Sequence, residues 1–197
     1  MSGFTLIELL AVTGIIALIS GLVLVNNNRF GGQVLLENLA YDIALSVRQA
    51  QISGISVQQF NSSFGSAYGM HFTPTVGDGQ SVYAQFADAY TTNGVLDITA
   101  STPAVELIRS TTVAQGYNIS SVCAIASGGG TCTAGSSLDI TFKRPEPDAC
   151  IALNGIASTD GAGTCGGAYE SAQITVTSPR SDVRTIVIDS NGQISVQ

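Results

Sequence analysis

The sequence predicts an α+β chain. An N-terminal helix is long and apolar enough to cross a membrane, an amphipathic helical stretch continues it, and a β-rich head of antiparallel sheets follows. Three observations carry this. Fourteen of the 22 residues from Phe4 to Val25 are Leu, Ile, Val or Phe. Between residues 33 and 54 apolar side chains recur at helical spacing instead. Beyond residue 55, short runs that alternate apolar with polar residues are separated by stretches rich in Gly, Ser, Thr and Asp.

As a helix the first run would extend roughly 33 Å, against a hydrocarbon thickness of about 30 Å. Its only charge is Glu8. An acidic side chain deep in the bilayer costs about 2.5–3.5 kcal/mol, and fourteen strong apolar residues return roughly 4–8 kcal/mol. Insertion wins, and an acid retained inside such a segment is a functional suspect. A cleaved secretory signal fits less well. Met1-Ser2-Gly3 offers no basic residue before the core, and Asn26-Asn27-Asn28-Arg29 after it is a poor small-residue cleavage site.

Asn26 to Gly32 (NNNRFGG) reads as a break or a weakened helix. In the stretch 33–54, Leu35, Leu36, Leu39, Ala40, Ile43, Val47 and Ala50 form a stripe that should pack on a sheet, and Gly54 is a plausible stop. The polar face lacks the Lys and Arg of a membrane-surface helix. Strands are expected at 55–60, 68–72, 82–86, 105–108, 117–124, 138–142, 174–177, 183–188 and 193–196. Asn191-Gly192 marks a hairpin between the last two.

Composition bounds the function. Charged residues are 11% of the chain, against about 25% in an ordinary domain. Twenty-two serines and eighteen threonines solvate the surface in their place. The net charge is −7 and Lys143 is the one lysine. A broad phosphate-binding surface needs clustered basic residues, so nucleic acid is not an expected partner. The only grouping on offer is Lys143, Arg144, Arg180 and Arg184, and the tail from Asp189 to Gln197 has no basic residue. The lone histidine, His71, excludes any metal site or triad that needs two. No nucleophile-elbow, phosphate-loop or paired-carboxylate motif stands out, so no catalytic residue and no cofactor is expected, and His71 reads as structural.

Gly3-Phe4-Thr5-Leu6-Ile7-Glu8-Leu9-Leu10 resembles the class III signal of type IV pilins and pseudopilins. The resemblance implies that a prepilin peptidase cuts after Gly3 on the cytoplasmic face and methylates the new amino terminus at Phe4. Glu8 then corresponds to the family's glutamate, which would pair with the Phe4 amine of a neighbouring subunit during assembly. It further implies a single-pass N-in/C-out protein of the cytoplasmic membrane that moves from lipid into an extracytoplasmic filament. Domains follow as leader 1–3, filament-core helix 4–25, continuation 33–54 and exported head 55–197. The leader lacks the family's usual basic residue, Arg29 sits on the expected outer side, and the mid-helix proline of many pilins is missing. Gly14 and Gly21 are the only candidate flexible points, and in lipid such glycines equally read as sites of close helix packing.

Val47-Arg48-Gln49-Ala50, Tyr68-Gly69, the loop from Asp88 to Asp97, and Val183 through Ile194 are similar to the pseudopilin-H/FimT branch. This implies a type IV pilin-like fold in which the helix packs on a head of two small sheets. It makes the chain a minor pilin or pseudopilin of a type IV pilus or type II secretion pseudopilus. The alternatives are an adhesion or DNA-uptake module carried on the filament, or a major pilin. Residues 125–170 look like an insertion.

Cys123, Cys132, Cys150 and Cys165 lie in the expected exported part, where an even number points to two disulfides among three possible connectivities. Cys123–Cys132 and Cys150–Cys165 are favoured, because each pair brackets a glycine-rich loop. Asp88, Asn93 and Asp97, with Asp78 nearby, could offer oxygen ligands to calcium. Their spacing is not that of an EF-hand, and Asp and Asn are ordinary turn formers, so no metal is expected.

Overall fold

The computed structural model describes residues 3–61, 63–75, 79–89, 92–97, 106–157 and 167–197. Helix α1 runs Leu6–Ile55. The chain divides into two compact units, Met1–Leu35 and Leu36–Gln197. In the first, α1 is apolar on every side from Leu6 to Leu24 and none of that span is buried. The backbone stays helical through Asn26–Gly32. The sequence alternatives there were a break or a weakened helix, and the break is absent. Asn and Gly lower helix propensity by only about 0.7–1 kcal/mol each, which a ladder already nucleated on both sides tolerates.

In the second unit the same helix has a dry face and a wet one. Leu36, Ala40, Ile43, Val47 and Ala50 are at most 1% exposed, whereas Tyr41, Leu45 and Ile52 are more than half exposed. Leu35, placed in the buried stripe by its spacing, is 57% exposed.

The strands are β1 (Gln59–Phe60), β2 (Ser63–Phe64), β3 (Ala67–Phe72), β4 (Val82–Asp88), β5 (Leu107–Thr112), β6 (Asn118–Ala126), β7 (Thr133–Gly135), β8 (Leu138–Phe142), β9 (Ala149–Leu153), β10 (Ile156–Ala157), β11 (Tyr169–Thr177), β12 (Val183–Asp189) and β13 (Ile194–Val196). They form a six-stranded sheet in the order β10-β9-β8-β3-β4-β5, a five-stranded sheet in the order β13-β12-β11-β6-β7, and the hairpin β1-β2. Every pairing is antiparallel. The head is therefore larger than two small sheets. The strand expected at 55–60 gives way to the end of α1 and the short β1.

Alternation explains the inner faces. Leu138, Ile140 and Phe142 of β8 point to the core with Met70 and Phe72 of β3, and Ala172, Ile174 and Val176 of β11 do so with Ile186 and Ile188 of β12. In β6, Ile119 and Val122 both reach the core although two residues, Ser120 and Ser121, separate them. A register shift opposite Thr175 and Val176 inserts the extra residue, as a β-bulge does. One core joins α1 to both sheets.

Residues 125–170, which look like an insertion in the sequence, contribute strands to both sheets. They supply β7 to β10 and the start of β11, and β8 pairs directly with β3 near the middle of the larger sheet. The whole of β9 is buried, so its Ala-Cys-Ile-Ala-Leu run shows no alternation to read.

Two glycines let the helix end sit close to the sheets. A Cβ at Gly54 would strike the backbone of Phe142. Gly54 is thus a contact point inside the last turn rather than the stop, and its carbonyl accepts a bond from the Arg144 N–H at 3.2 Å. Gly192, at φ 82°, closes the β12–β13 turn, and a Cβ there would strike the Pro147 carbonyl. Buried Gln51 ties these parts together. Its Nε2 donates to the carbonyls of Pro147 and Gly192, each at 3.0 Å, and its Oε1 accepts from Arg48 Nη1 at 2.7 Å.

Candidate functional site

The N-terminal segment comes first. Gly3, Phe4 and Thr5 precede the helix, and Phe4 is 81% exposed. The Thr5 carbonyl accepts the N–H of Glu8 at 3.1 Å and of Leu9 at 3.2 Å, which makes Thr5 the N-cap residue and Glu8 the third helical position. Thr-x-x-Glu at those positions is the capping-box pattern, and an acid in the first turn opposes the positive end of the helix dipole. Glu8 therefore has a local reason to be where it is, beside any role in assembly. Gly3 and Phe4 lie outside the helix and are exposed.

On the head, the outer face of the six-stranded sheet carries a second group of polar residues. The register lines up Asp139 of β8 with His71 of β3, His71 with Ala84 of β4, and Ala84 with Ser110 of β5. Residues 92–97 cross this face, and Leu96 packs with Ala84, Phe86 and Leu107 in a small separate core. Three buried carboxylates hold that crossing by accepting backbone N–H groups. Asp88 Oδ1 accepts from Asn93 at 3.2 Å and Oδ2 from Gly94 at 3.0 Å. Glu106 Oε1 accepts from Ala89 at 3.3 Å and Oε2 from Asp97 at 3.0 Å. Asp139 Oδ1 accepts from Leu96 at 3.2 Å.

The loop residues that could have been calcium ligands are largely committed to one another. Asn93 Oδ1 accepts from the Val95 N–H at 3.0 Å and Asn93 Nδ2 donates to Asp97 Oδ2 at 3.1 Å. Asp78 lies outside the described residues. Among the described residues, no group of three or more His, Cys, Asp and Glu is placed to hold a metal ion. Burial, with Glu106 and Asp97 nearby, pushes the Asp88 carboxyl up to about 6, and the two N–H bonds oppose that rise only in part.

His71 is not an isolated core histidine. Its Nδ1 lies 2.7 Å from Asp139 Oδ1 and its Nε2 lies 3.0 Å from Thr73 Oγ1. Asp139 is fully buried and its Oδ2 has no hydrogen-bond partner among the described residues. Nothing in sequence spacing links positions 71 and 139. The signal that could have found the pair is the polar parity of both strands, which puts each residue on the face opposite the core.

Cys123 and Cys132 form a disulfide across the β6–β7 hairpin, with Cα atoms 5.5 Å apart. Cys150, in β9, is also disulfide-bonded. Cys165, its favoured partner by sequence, lies outside the described residues. The four basic residues do not sit on one element. Lys143 and Arg144 follow β8 of the larger sheet, while Arg180 lies in the β11–β12 connection of the smaller and Arg184 in β12.

No family model, no curated protein and no solved structure matches the chain.

Proposed function

We propose that this chain is a structural subunit of a type IV filament, a minor pilin or pseudopilin of the H/FimT kind. It is inserted N-in/C-out by its apolar helix, cut after Gly3, methylated at Phe4 and polymerised through that helix. The observation that carries the reading is the joining of the Gly3–Leu10 signal to a helix whose apolar surface is unburied from Leu6 to Leu24. Such a surface needs lipid or other helices around it. The exposed Tyr41, Leu45 and Ile52 on the head's part of α1 add support, since large apolar side chains on one helix face suit a neighbouring subunit.

Glu8 would then be the register element. In a filament core a lone carboxylate is costly, and the Phe4 amine of the next subunit supplies the opposite charge. Removing one partner of such a buried pair costs about 3–5 kcal/mol. Glu8→Leu should insert in the membrane at least as well as the parent and be cut after Gly3. Its recovery in sheared filaments should fall by at least about tenfold. Incorporation at the parental level would sink the role. The capping-box reading is separated by Glu8→Gln, which keeps a side chain able to cap the helix but removes the charge. If assembly needs the charge, Gln fails as Leu does.

A further inference from the structure

We propose that Asp139, His71 and Thr73 form a nucleophilic site on the head, with Thr73 Oγ1 as the attacking atom and a short-chain carboxylic ester as the class of substrate. This inference goes beyond the filament role and does not depend on it.

The geometry is that of an orienting acid, a base and a hydroxyl. An ionised carboxylate only accepts hydrogen bonds, so at 2.7 Å from Asp139 Oδ1 the proton must sit on His71 Nδ1. Nε2 then carries the lone pair and accepts the Thr73 hydroxyl at 3.0 Å. This tautomer is the one a general base needs. Asp139 is held from behind by the Leu96 N–H, and its burial keeps water from competing for the bond to His71. With Oδ2 lacking a partner among the described residues, the carboxylate has charge left to stabilise the imidazolium that forms when His71 takes a proton. The array opens on a cavity of about 370 Å³ that both His71 and Thr73 line. Val82, Ala84, Leu96 and Leu107 give it apolar walls, while Gln80 and Ser110 bring an amide and a hydroxyl. Apolar walls suit a short acyl chain.

The step balances without any further reagent. Thr73 Oγ1 bonds to the ester carbonyl carbon as its proton moves to His71 Nε2. The ester C–O bond breaks and His71 returns the proton to the departing alcohol. Water then repeats the sequence on the threonyl ester, releasing the acid and restoring the hydroxyl.

The test treats the full chain, in detergent, with a fluorophosphonate probe and with p-nitrophenyl acetate. A fluorophosphonate would lose fluoride to Thr73 and leave a phosphonyl group that peptide mass spectrometry locates. The expected result is one dominant adduct, on Thr73. Thr73→Val should abolish it, and His71→Gln should slow labelling and ester hydrolysis by roughly 100-fold. Thr73→Ser should restore both, which a merely structural hydroxyl would not do. Thr133→Val, on β7 of the other sheet, should react as the parent does. Absence of a Thr73 adduct on the folded chain, labelling of Ser110 instead, or equal rates in His71→Gln would each overturn the proposal.

Discussion

The two parts of helix α1 solve opposite problems with the same residue types. From Leu6 to Leu24 apolar side chains surround the axis, and none of the span is buried. In the head the apolar residues at Leu36, Ala40, Ile43, Val47 and Ala50 make one stripe, and all are buried against the sheets. The two regions differ both in overall hydropathy, which averages 2.4 from Leu6 to Leu24 and falls where Glu37, Asp42 and Arg48 enter, and in its angular distribution. A stripe is satisfied within one molecule, whereas an all-round apolar helix must find its surroundings elsewhere. The chain thus folds its own head and leaves the N-terminal part of its helix unburied.

The largest expected effect tests that contrast directly. Ile43→Asp puts an unpaired charge in the shared core and should unfold the head, a loss above about 4 kcal/mol. Ile15→Asp should leave head unfolding by urea unchanged and instead reduce membrane retention. If both substitutions act alike on head stability, the division is wrong.

Next is a pH effect confined to the head. The Asp88 carboxyl is pushed up from 3.8 to about 6, so its contribution to stability is full below about pH 4 and is lost as pH rises through 6. The loss is on the order of 3 kcal/mol. Urea unfolding at pH 4 and pH 7 should show the parent losing that much more stability than Asp88→Asn over the interval. Equal pH dependence in the two proteins would remove Asp88 as the source.

Smaller again is the Cys123–Cys132 crosslink, which closes a short hairpin. In the chain-entropy model it contributes about 2–3 kcal/mol. The pair Cys123→Ala with Cys132→Ala should lower the unfolding midpoint accordingly without touching membrane insertion. The smallest stability effect belongs to the wet face of the head helix. Leu45→Ser should change head stability by no more than about 0.5 kcal/mol, because Leu45 is already exposed. If that face meets another subunit, the same substitution should still reduce filament incorporation.

Much of this fold was legible because alternation and helical spacing are local. Leu138 to Phe142 reads as a strand and is one, and Asn191-Gly192 reads as a turn and closes β12 to β13. Strand β9 was not legible, because a strand buried on both faces carries no period. Its place beside β8, like the pairing of His71 with Asp139, depends on contacts between residues far apart in sequence. The loop acids were read as turn formers or ligands. The use of Asp88, together with Glu106 and Asp139, as acceptors for the N–H groups of residues 89, 93, 94, 96 and 97 depends on the sheet beneath, which spacing alone does not reveal. Glu8 was visible through its motif, while its position as third residue of the helix depends on where α1 starts.

The most direct test of the filament reading is quantitative mass spectrometry of filaments sheared from native cells, with the N-terminal peptide read in the same run. The expected peptide begins at N-methylated Phe4 and is present at trace stoichiometry beside a dominant pilin. Methylated Phe4 in the dominant band would contradict the minor-subunit assignment. Peptides that retain Met1-Ser2-Gly3 in the membrane fraction, with none of the chain in filaments, would contradict the central claim.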